Sequence, residues 1–304
     1  MSTLGPISCV TVAAPELQHM IDSYRLFLGY RLVDHARLSP AQASLWGLPN
    51  LTGRRYALML PEGDGQTFLR FVESKPSPDY VPFRHMGWNA AELMVQDTDE
   101  AAARLAGSPF KIIGPPANLS ISDKIRAAQA LGPSNEALYL TSFAEKLPQF
   151  DTPDAKHFID RVFIVILGGP SVQTVNAFYR THFGVADAAV VPVVISVLSN
   201  AHGMPPETRH DLAALPLQGQ SYIEVDRMPE GTQPRHARPG ELPPAISIVT
   251  FGVRQLPTTI DWIAPPCALP EAPYHGRRAG LCRGAAGELI ELIEHRPPSE
   301  LGET

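Results

Sequence analysis

The sequence is poor in the features that mark several large classes of protein. Its three cysteines form no CxxC pair and are odd in number, which predicts reduced thiols and a cytoplasmic protein. No apolar run reaches the ~20 residues that a membrane helix needs, and a secretory signal is not expected because the first residues lack a basic leader and an apolar core. The net charge is −6 and the basic residues are scattered, so a nucleic acid is not an expected partner. There is no GxSxG elbow, phosphate loop or dinucleotide fingerprint.

What the sequence does contain is an internal repeat. Residues 162–185 repeat the pattern of residues 7–30, which is an apolar strand, a turn with proline, a helix and a final glycine. Four residues recur in register without a gap, namely Pro15 and Pro170, Tyr24 and Tyr179, Arg25 and Arg180, and Gly29 and Gly184. The repeat predicts two copies of one folding unit, one in each half of the chain.

Hydrophobic spacing predicts that each half follows the order βαβββ twice. The predicted domains are a first module pair at 1–147, a polar linker at 148–157, a second module pair at 158–296 and a tail at 297–304. Four local predictions are a hairpin turn at 62–65, a strand at Val190–Leu198, a loop at 199–220 and a short helix at Thr258–Ile263.

Four segments carry a resemblance to a known group of proteins. Ser23–Val33 (SYRLFLGYRLV) ends a helix, Ala91–Leu105 runs from a strand through V-x-D into a helix, and Gly132–Thr141 and Gly284–Glu294 form closing strands after a glycine turn. In this order they resemble the vicinal oxygen chelate superfamily, which contains glyoxalase I, extradiol dioxygenases, and bleomycin and fosfomycin resistance proteins. The resemblance implies an α+β fold in which tandem βαβββ modules form curved mixed sheets around a small-ligand cavity.

The resemblance also implies where metal ligands would stand, and there the sequence departs from the pattern. The positions usually held by His, His or Gln, and Glu match Cys9, Ala90 and Tyr139 in the first half. In the second half Ile248 and Glu291 match the later two positions, and either Arg161 or Ile164 matches the first. The usual set is absent, so no cofactor is expected, and an ion pair of Arg161 with Glu291 could fill the vacancy. A nonstandard site for Fe, Mn, Zn or Ni would have to draw on Glu291, Glu92 and His85.

Glu92 is the candidate catalytic residue of greatest interest. It lies two residues from Ala90 and therefore on the same face of a predicted strand. Inside a cavity walled by Trp88, Met94 and Tyr139, burial would raise its pKa toward neutrality, as a general base requires. The competing interpretation is a glutamate on an exposed strand. By contrast, Tyr222 and Glu224 are explained by a strand that is apolar inside and polar outside.

The remaining site predictions follow from these placements. The catalytic candidates are Glu92, Tyr139, Arg161 and Glu291, with Tyr139 or Arg161 holding developing negative charge. The candidates for substrate binding are Cys9, His85, Trp88, Asn89, Met94, Tyr274 and His275.

Three functions are compatible with these residues. The sequence favours an enzyme with lyase-type or isomerase-type proton chemistry on a small apolar or aromatic catabolite. The first alternative is an Fe(II)- or Mn(II)-dependent extradiol dioxygenase, because Tyr274 and His275 precede Glu291 in the manner of outer acid and base groups. The second is a metal-free small-molecule binding protein of the resistance type. The expected partner is a small molecule, not a membrane or nucleic acid, and a homodimer is left open.

Overall fold

The structure is a computed structural model, and it describes residues 4–62, 67–148 and 150–295. The described chain forms five α-helices: α1 Leu17–Leu28, α2 Pro40–Leu45, α3 Thr98–Arg104, α4 Val172–Phe183 and α5 Ser196–Ala201. Its strands are β1 Leu4–Ala14, β2 Arg31–Arg37, β3 Arg55–Leu60, β4 Phe68–Glu73, β5 His85–Val95, β6 Lys111–Leu119, β7 Ser122–Leu131, β8 Ala137–Phe143, β9 Ile159–Gly169, β10 Val191–Val194, β11 Arg209–Leu217, β12 Ser221–Arg227, β13 Gln233–Pro234, β14 Ala245–Val253, β15 Cys267–Ala268, β16 Arg278–Arg283 and β17 Leu289–Glu294. Of the predicted turn at 62–65 only Glu62 is described, and the predicted tail at 297–304 lies outside the described residues.

The internal repeat is visible in the boundaries of the elements. β1 and β9 correspond residue for residue, as do α1 and α4. Gly29 and Gly184 end the two helices with φ of 69° and 61°, a left-handed conformation that glycine adopts without the penalty of a Cβ atom. The ungapped alignment of the two halves is therefore the structural one.

Four modules build two sheets, and each sheet takes one module from each half of the chain. We call β1–β4 module 1, β5–β8 module 2, β9–β12 module 3 and β14–β17 module 4. The first sheet has the order β15-β16-β17-β14-β1-β4-β3-β2, so it joins modules 4 and 1. The second has the order β10-β11-β12-β9-β5-β8-β7-β6, so it joins modules 3 and 2. Antiparallel pairs β1–β14 and β5–β9 form the two joints.

The main core lies between the sheets, and it leaves the opposite face of each sheet free for a site. Because side chains alternate along a strand, Val10 and Val12 of β1 enter the main core while Cys9 and Ala13 face away from it. Trp88 of β5 belongs to the same core and donates through Nε1 to the Leu289 carbonyl oxygen of β17 at 2.8 Å. This hydrogen bond ties one sheet to the other.

A matched pair of buried glutamates links each helix to the following module. Glu136 accepts a hydrogen bond from the Tyr24 hydroxyl of α1 at 2.9 Å, and Glu288 accepts one from the Tyr179 hydroxyl of α4 at 3.0 Å. Each carboxylate folds over the glycine that begins its turn, and a Cβ at Gly132 would lie 1.8 Å from Glu136 Oε1. We call these two contacts the Tyr–Glu links.

Three local predictions for the second half are wrong. Within Val190–Leu198 the strand β10 ends at Val194 and α5 begins at Ser196, and the predicted loop at 199–220 contains β11. Thr258–Ile263 forms no helix, because its backbone bonds to β16 instead: the Ile263 N–H donates to the Leu281 carbonyl at 2.9 Å. No helix in the described part of the chain is long and apolar enough to cross a membrane.

Candidate functional site

Strand register places one residue of each closing strand at an equivalent position on the outer face of its sheet. On the first sheet, Thr11 pairs with Arg70 and Thr250 pairs with Glu291. On the second sheet, Ile166 pairs with Glu224 and Glu92 pairs with Tyr139. We call the surroundings of Arg70 and Glu291 the 1/4 centre, and the space around Glu92 and Glu224 the 2/3 cavity.

A fully buried ion pair fills the 1/4 centre. Arg70 Nη2 lies 2.9 Å from Glu291 Oε2, and both side chains are 0% exposed. Glu291 also accepts hydrogen bonds of 2.7 Å each from Trp46 Nε1, Thr250 Oγ1 and the Tyr274 hydroxyl. Every oxygen of the carboxylate is thus satisfied, which is the condition under which a buried ion pair is tolerated.

The protonation states of the 1/4 centre do not suit a metal ion. Burial opposes ionisation of Glu291, but Arg70 and the three hydrogen bonds outweigh it and hold the pKa of Glu291 below its ordinary value. Burial raises the pKa of Cys9 to about 11, so its thiol keeps its proton. The metal ion implied by the fold does not fit here, because a guanidinium occupies the position and the neighbouring thiol is not a thiolate.

The 2/3 cavity has a volume of about 440 Å³ and opens on the outer face of the second sheet. Its walls are largely apolar and come from β6, β7, β9, β10, α5 and β11. The apolar lining includes Leu119, Ile121, Ile125, Phe143, Phe150, Ile164, Val193, Ile195, Val197 and Leu212. This volume lies within the range of small-molecule sites.

Glu92 is one of the residues that line this cavity. Its side chain is 6% exposed and lines the cavity beside Tyr139 and Ile164. Burial raises the pKa of Glu92 to about 7, and the nearby hydroxyl of Thr141 acts in the opposite direction. The predicted effect of burial on this carboxyl is therefore present in the structure.

Two further carboxylates, which the sequence does not predict to belong to the site, lie near Glu92. Glu224 lines the cavity and is half-buried, and Asp226 lies two residues further along the same face of β12 and is 2% exposed. Burial first, then the charges of Asp226 and Glu92, raises the pKa of Glu224 well above its ordinary value. Burial and the Glu92 charge raise the pKa of Asp226 to about 7. The three carboxyls form one electrostatically coupled group, which we call the carboxyl triad.

Several polar atoms around the carboxyl triad have no hydrogen-bond partner in the structure. They are the Tyr139 hydroxyl, Thr141 Oγ1 and Asp226 Oδ1. Tyr139 is 8% exposed, lines the cavity, and has a pKa raised well above its ordinary value, chiefly by burial. A buried polar atom without a partner is costly, so the Tyr139 hydroxyl, which lines the cavity, favours a polar ligand atom there.

Gln129 adds an amide to the cavity wall, and Gly114 makes room for it. Gln129 pairs across the strands with Tyr139 and also lines the cavity. A Cβ at Gly114 would lie 1.9 Å from Gln129 Oε1 and 3.2 Å from Val197. The glycine is required here by the close approach of these side chains.

Other residues of the predicted binding set lie elsewhere. Trp88 faces the main core, and Asn89 accepts from Arg235 Nη2 at 2.9 Å and contacts Met228. Met94 is buried, but it is not among the described residues that line the cavity. His85 stacks on Tyr80 and lies seven residues before Glu92, or roughly 23 Å along the strand. Cys9 belongs to the 1/4 centre.

The predicted partners of Glu291 need correction. The ion pair exists, but its cation is Arg70, because Arg161 at the start of β9 donates to the Gly219 carbonyl oxygen at 3.1 Å. Of the two alternatives for the first strand of the second half, Ile164 lines the cavity. Tyr274 does contact Glu291, whereas His275 is exposed.

No family model and no curated protein sequence matches this chain. Solved structures do match it. Glyoxalase I from Zea mays superposes with a TM-score of 0.65 over 95% of this chain and 92% of its own, at 14% identity. A proposed dioxygenase from Bacillus subtilis superposes with a TM-score of 0.62 over 98% of this chain and 87% of its own, at 13% identity.

The chain has the vicinal oxygen chelate fold. The predicted α+β architecture of tandem modules in curved mixed sheets is thereby confirmed, and module 4, all of whose residues are described, differs from the βαβββ order in having no helix between its strands. At these identities the likeness is one of fold, so the chemistry must be argued from the residues. Among the described residues of this vicinal oxygen chelate fold, no group of three or more His, Cys, Asp or Glu side chains is arranged to hold a metal ion. The carboxyl triad supplies acids of suitable type but not in coordinating geometry.

Proposed function

We propose that the protein is an enzyme that moves a proton on a small apolar or aromatic molecule bound in the 2/3 cavity. One observation carries the proposal: a buried carboxyl with a pKa of about 7, Glu92, lines an apolar cavity beside an unpartnered phenol, Tyr139. Perturbed acids of this kind in a cleft are typical of catalytic sites.

Glu92 is suited to act as the general base. With a pKa of about 7, a substantial fraction of its carboxyl is ionised at neutral pH and can accept a proton from a C–H bond next to a carbonyl. Its low exposure excludes bulk water from the acceptor oxygens. Returning the proton to another carbon gives an isomerase, and expelling a group from the neighbouring carbon gives a lyase.

Tyr139 is suited to hold the substrate oxygen. Its raised pKa keeps the hydroxyl protonated, and no described residue forms a hydrogen bond with it, so it is free to donate to an oxygen that gains negative charge. Glu92 and Tyr139 are paired residues on the adjacent parallel strands β5 and β8, so their side chains lie side by side on one face of the sheet. The base and the donor thus reach the same ligand.

The two alternatives draw less support from the residues. A dioxygenase site built on Glu291 conflicts with the ion pair to Arg70, which uses the carboxylate fully. A binding protein of the resistance type would use the same 2/3 cavity, and it is distinguished by returning its ligand unchanged.

Proton exchange provides the test. The wild-type protein is incubated in D₂O with a panel of aromatic and aliphatic ketones, aldehydes and β-hydroxy carbonyl compounds, and deuterium uptake or elimination is followed by NMR. We expect Glu92→Gln to lower the rate at least 100-fold and Tyr139→Phe to lower it about 10- to 100-fold. The exposed Glu207 provides the matched control, and Glu207→Gln should leave the rate unchanged. An equal rate in Glu92→Gln would refute the proposal.

A further inference from the structure

We propose that the ligand of the 2/3 cavity is a cation, specifically a protonated primary or secondary amine on an apolar or aromatic body. The inference deepens the proposed function, since it rests on the 2/3 cavity being the substrate site. It concerns the charge of the ligand, whereas the proposed function concerns the proton that Glu92 moves.

The carboxyl groups that line the cavity have no basic side chain beside them. Glu92 and Glu224 are the acidic side chains among the described lining residues, and none of those lining residues is Lys, Arg or His. Asp226 adds a third carboxyl close enough to shift the pKa of Glu224. Burial raises the pKa of these acids, and a cation bound among them would favour their ionised forms.

The two equivalent centres differ in where the positive charge comes from. In the 1/4 centre, Arg70 neutralises Glu291 at 2.9 Å. In the 2/3 cavity, the position equivalent to Arg70 is occupied by Glu224, so the protein supplies an acid where its twin supplies a cation. None of the three triad carboxyls forms an ion pair with a described residue. A cationic ligand would complete the 2/3 cavity as Arg70 completes the 1/4 centre.

Hydrogen bonding narrows the cation to one with N–H groups. The Tyr139 hydroxyl oxygen lines the cavity, has no hydrogen-bond partner among the described residues and can accept. An ammonium group offers two or three donors and can donate to this oxygen and to the Glu224 carboxyl together, whereas a quaternary ammonium offers none. The aromatic walls Phe143 and Phe150 suit the apolar body.

A positive charge on the ligand also makes the proposed proton transfer easier. Removing a proton from carbon leaves negative charge near Tyr139, and Glu224 and Asp226 would repel it. An ammonium group on the same molecule offsets that repulsion, because it brings the opposite charge within a few ångströms. The triad and the general base therefore fit one ligand.

The experiment compares ligands that differ in charge but share a body. Binding of 2-phenylethylamine, 2-phenylethanol, phenylacetate and trimethyl(2-phenylethyl)ammonium, and of the matching naphthyl series, is measured by ligand-observed NMR and calorimetry. We expect each primary amine to bind at least 10-fold more tightly than its alcohol, its carboxylate and its quaternary analogue. Equal or tighter binding of the alcohol or carboxylate, or no binding by any amine of either series, would overturn the proposal.

Variants separate the charge effect from a loss of folding. Glu224→Gln is isosteric and should weaken amine binding at least 5-fold while leaving alcohol binding unchanged, and Glu207→Gln should change neither. Unchanged amine binding in Glu224→Gln contradicts the proposal, as does an equal loss for amine and alcohol. A third outcome separates the two proposals. If the protein still prefers amines but Glu92→Gln exchanges protons at the wild-type rate, the role of Glu92 as general base is refuted and the proposed ligand class is not.

Discussion

Arg70 and Glu224 occupy equivalent positions on β4 and β12, yet they give the two outer faces opposite properties. Arg70 closes its centre with an ion pair, and Glu224 leaves a cavity with unneutralised acid. The Arg70 guanidinium donates hydrogen bonds to Thr11 Oγ1 at 2.9 Å and to the Tyr274 hydroxyl oxygen at 2.8 Å, so the 1/4 centre is a fixed polar core. The residue at this one position therefore determines whether the outer face holds a packed ion pair, as in the 1/4 centre, or a cavity, as in the 2/3 cavity.

The Arg70–Glu291 pair leads to a prediction about stability. Arg70→Met leaves Glu291 charged, buried and without its cation, which should lower the free energy of unfolding by about 3–5 kcal/mol. The double variant Arg70→Met/Glu291→Leu removes both charges and should recover more than half of that loss. Urea denaturation of the wild type and both variants measures the difference. A single variant within about 1 kcal/mol of the wild type would show that the pair is not structural.

At the residue scale, the family resemblance placed Ala90 and Tyr139 at cavity positions, and strand periodicity then placed Glu92 on the same face as Ala90. The sequence missed Glu224 and Asp226, since an alternating strand with acids on one face is typical of a solvent-exposed face. Pairing of β9 with β5 joins modules 3 and 2 in one sheet and so places these acids on the same face as Glu92. Arg70 was missed for the same reason: its partner lies 221 positions away.

At the element scale, the Tyr–Glu links join each long helix to the next module. Tyr24 connects α1 to the turn before β8, and Tyr179 connects α4 to the turn before β17. In both turns the second carboxylate oxygen accepts a backbone N–H at 2.8 Å. The helix position and the turn conformation are thus set by one carboxyl group.

The links predict similar effects in the two halves. Tyr24→Phe and Tyr179→Phe each remove the donor to one oxygen of a buried carboxyl, while the backbone N–H to its other oxygen remains. Each variant should lower the free energy of unfolding by about 1–3 kcal/mol. Hydrogen exchange should show reduced protection of the Ser134 amide in Tyr24→Phe and of the Ala286 amide in Tyr179→Phe. Loss of protection at the other half's turn instead would contradict the assignment of each link to its own helix.

Long periodic elements were predictable from sequence, and the cavity wall was not. α1 and α4 carry regular apolar stripes and end at glycines, so their bounds follow from local signals. α5 is only six residues long, and β10 and β11 gain their definition from pairing across the sheet. These are the elements that line the 2/3 cavity, and tertiary contacts rather than local propensity determine them.

At the scale of the whole molecule, buried acids make stability depend on pH. Burial raises the pKa of Glu92, Glu136, Asp226 and Glu288 to about 7 in each case. The folded state therefore holds these protons more tightly than the unfolded state does. This contribution to the free energy of unfolding is lost as the pH rises from the ordinary carboxyl pKa values to about 7. The pKa of Glu291 is held below its ordinary value, so lowering the pH further protonates Glu291 and removes its ion pair with Arg70. This protonation lowers the free energy of unfolding at acid pH.

We therefore expect maximal stability near pH 5 and a fall of several kcal/mol by about pH 7.5. Urea denaturation at half-unit intervals of pH measures the curve. Glu136→Gln and Glu288→Gln should each flatten the decline, because each removes one group with a raised pKa. Stability that rises steadily from pH 5 to pH 7.5 would contradict the buried state of these acids.

The exchange of modules between the sheets has a consequence for synthesis on the ribosome. β1 has β4 as a neighbour within its own half, but its other edge pairs with β14 at residues 245–253. At about 5–20 residues per second, that edge waits roughly 10–50 s for its partner to be translated. The nascent first half thus carries an open apolar strand edge for most of its time on the ribosome, which is the form most prone to pairing with another chain.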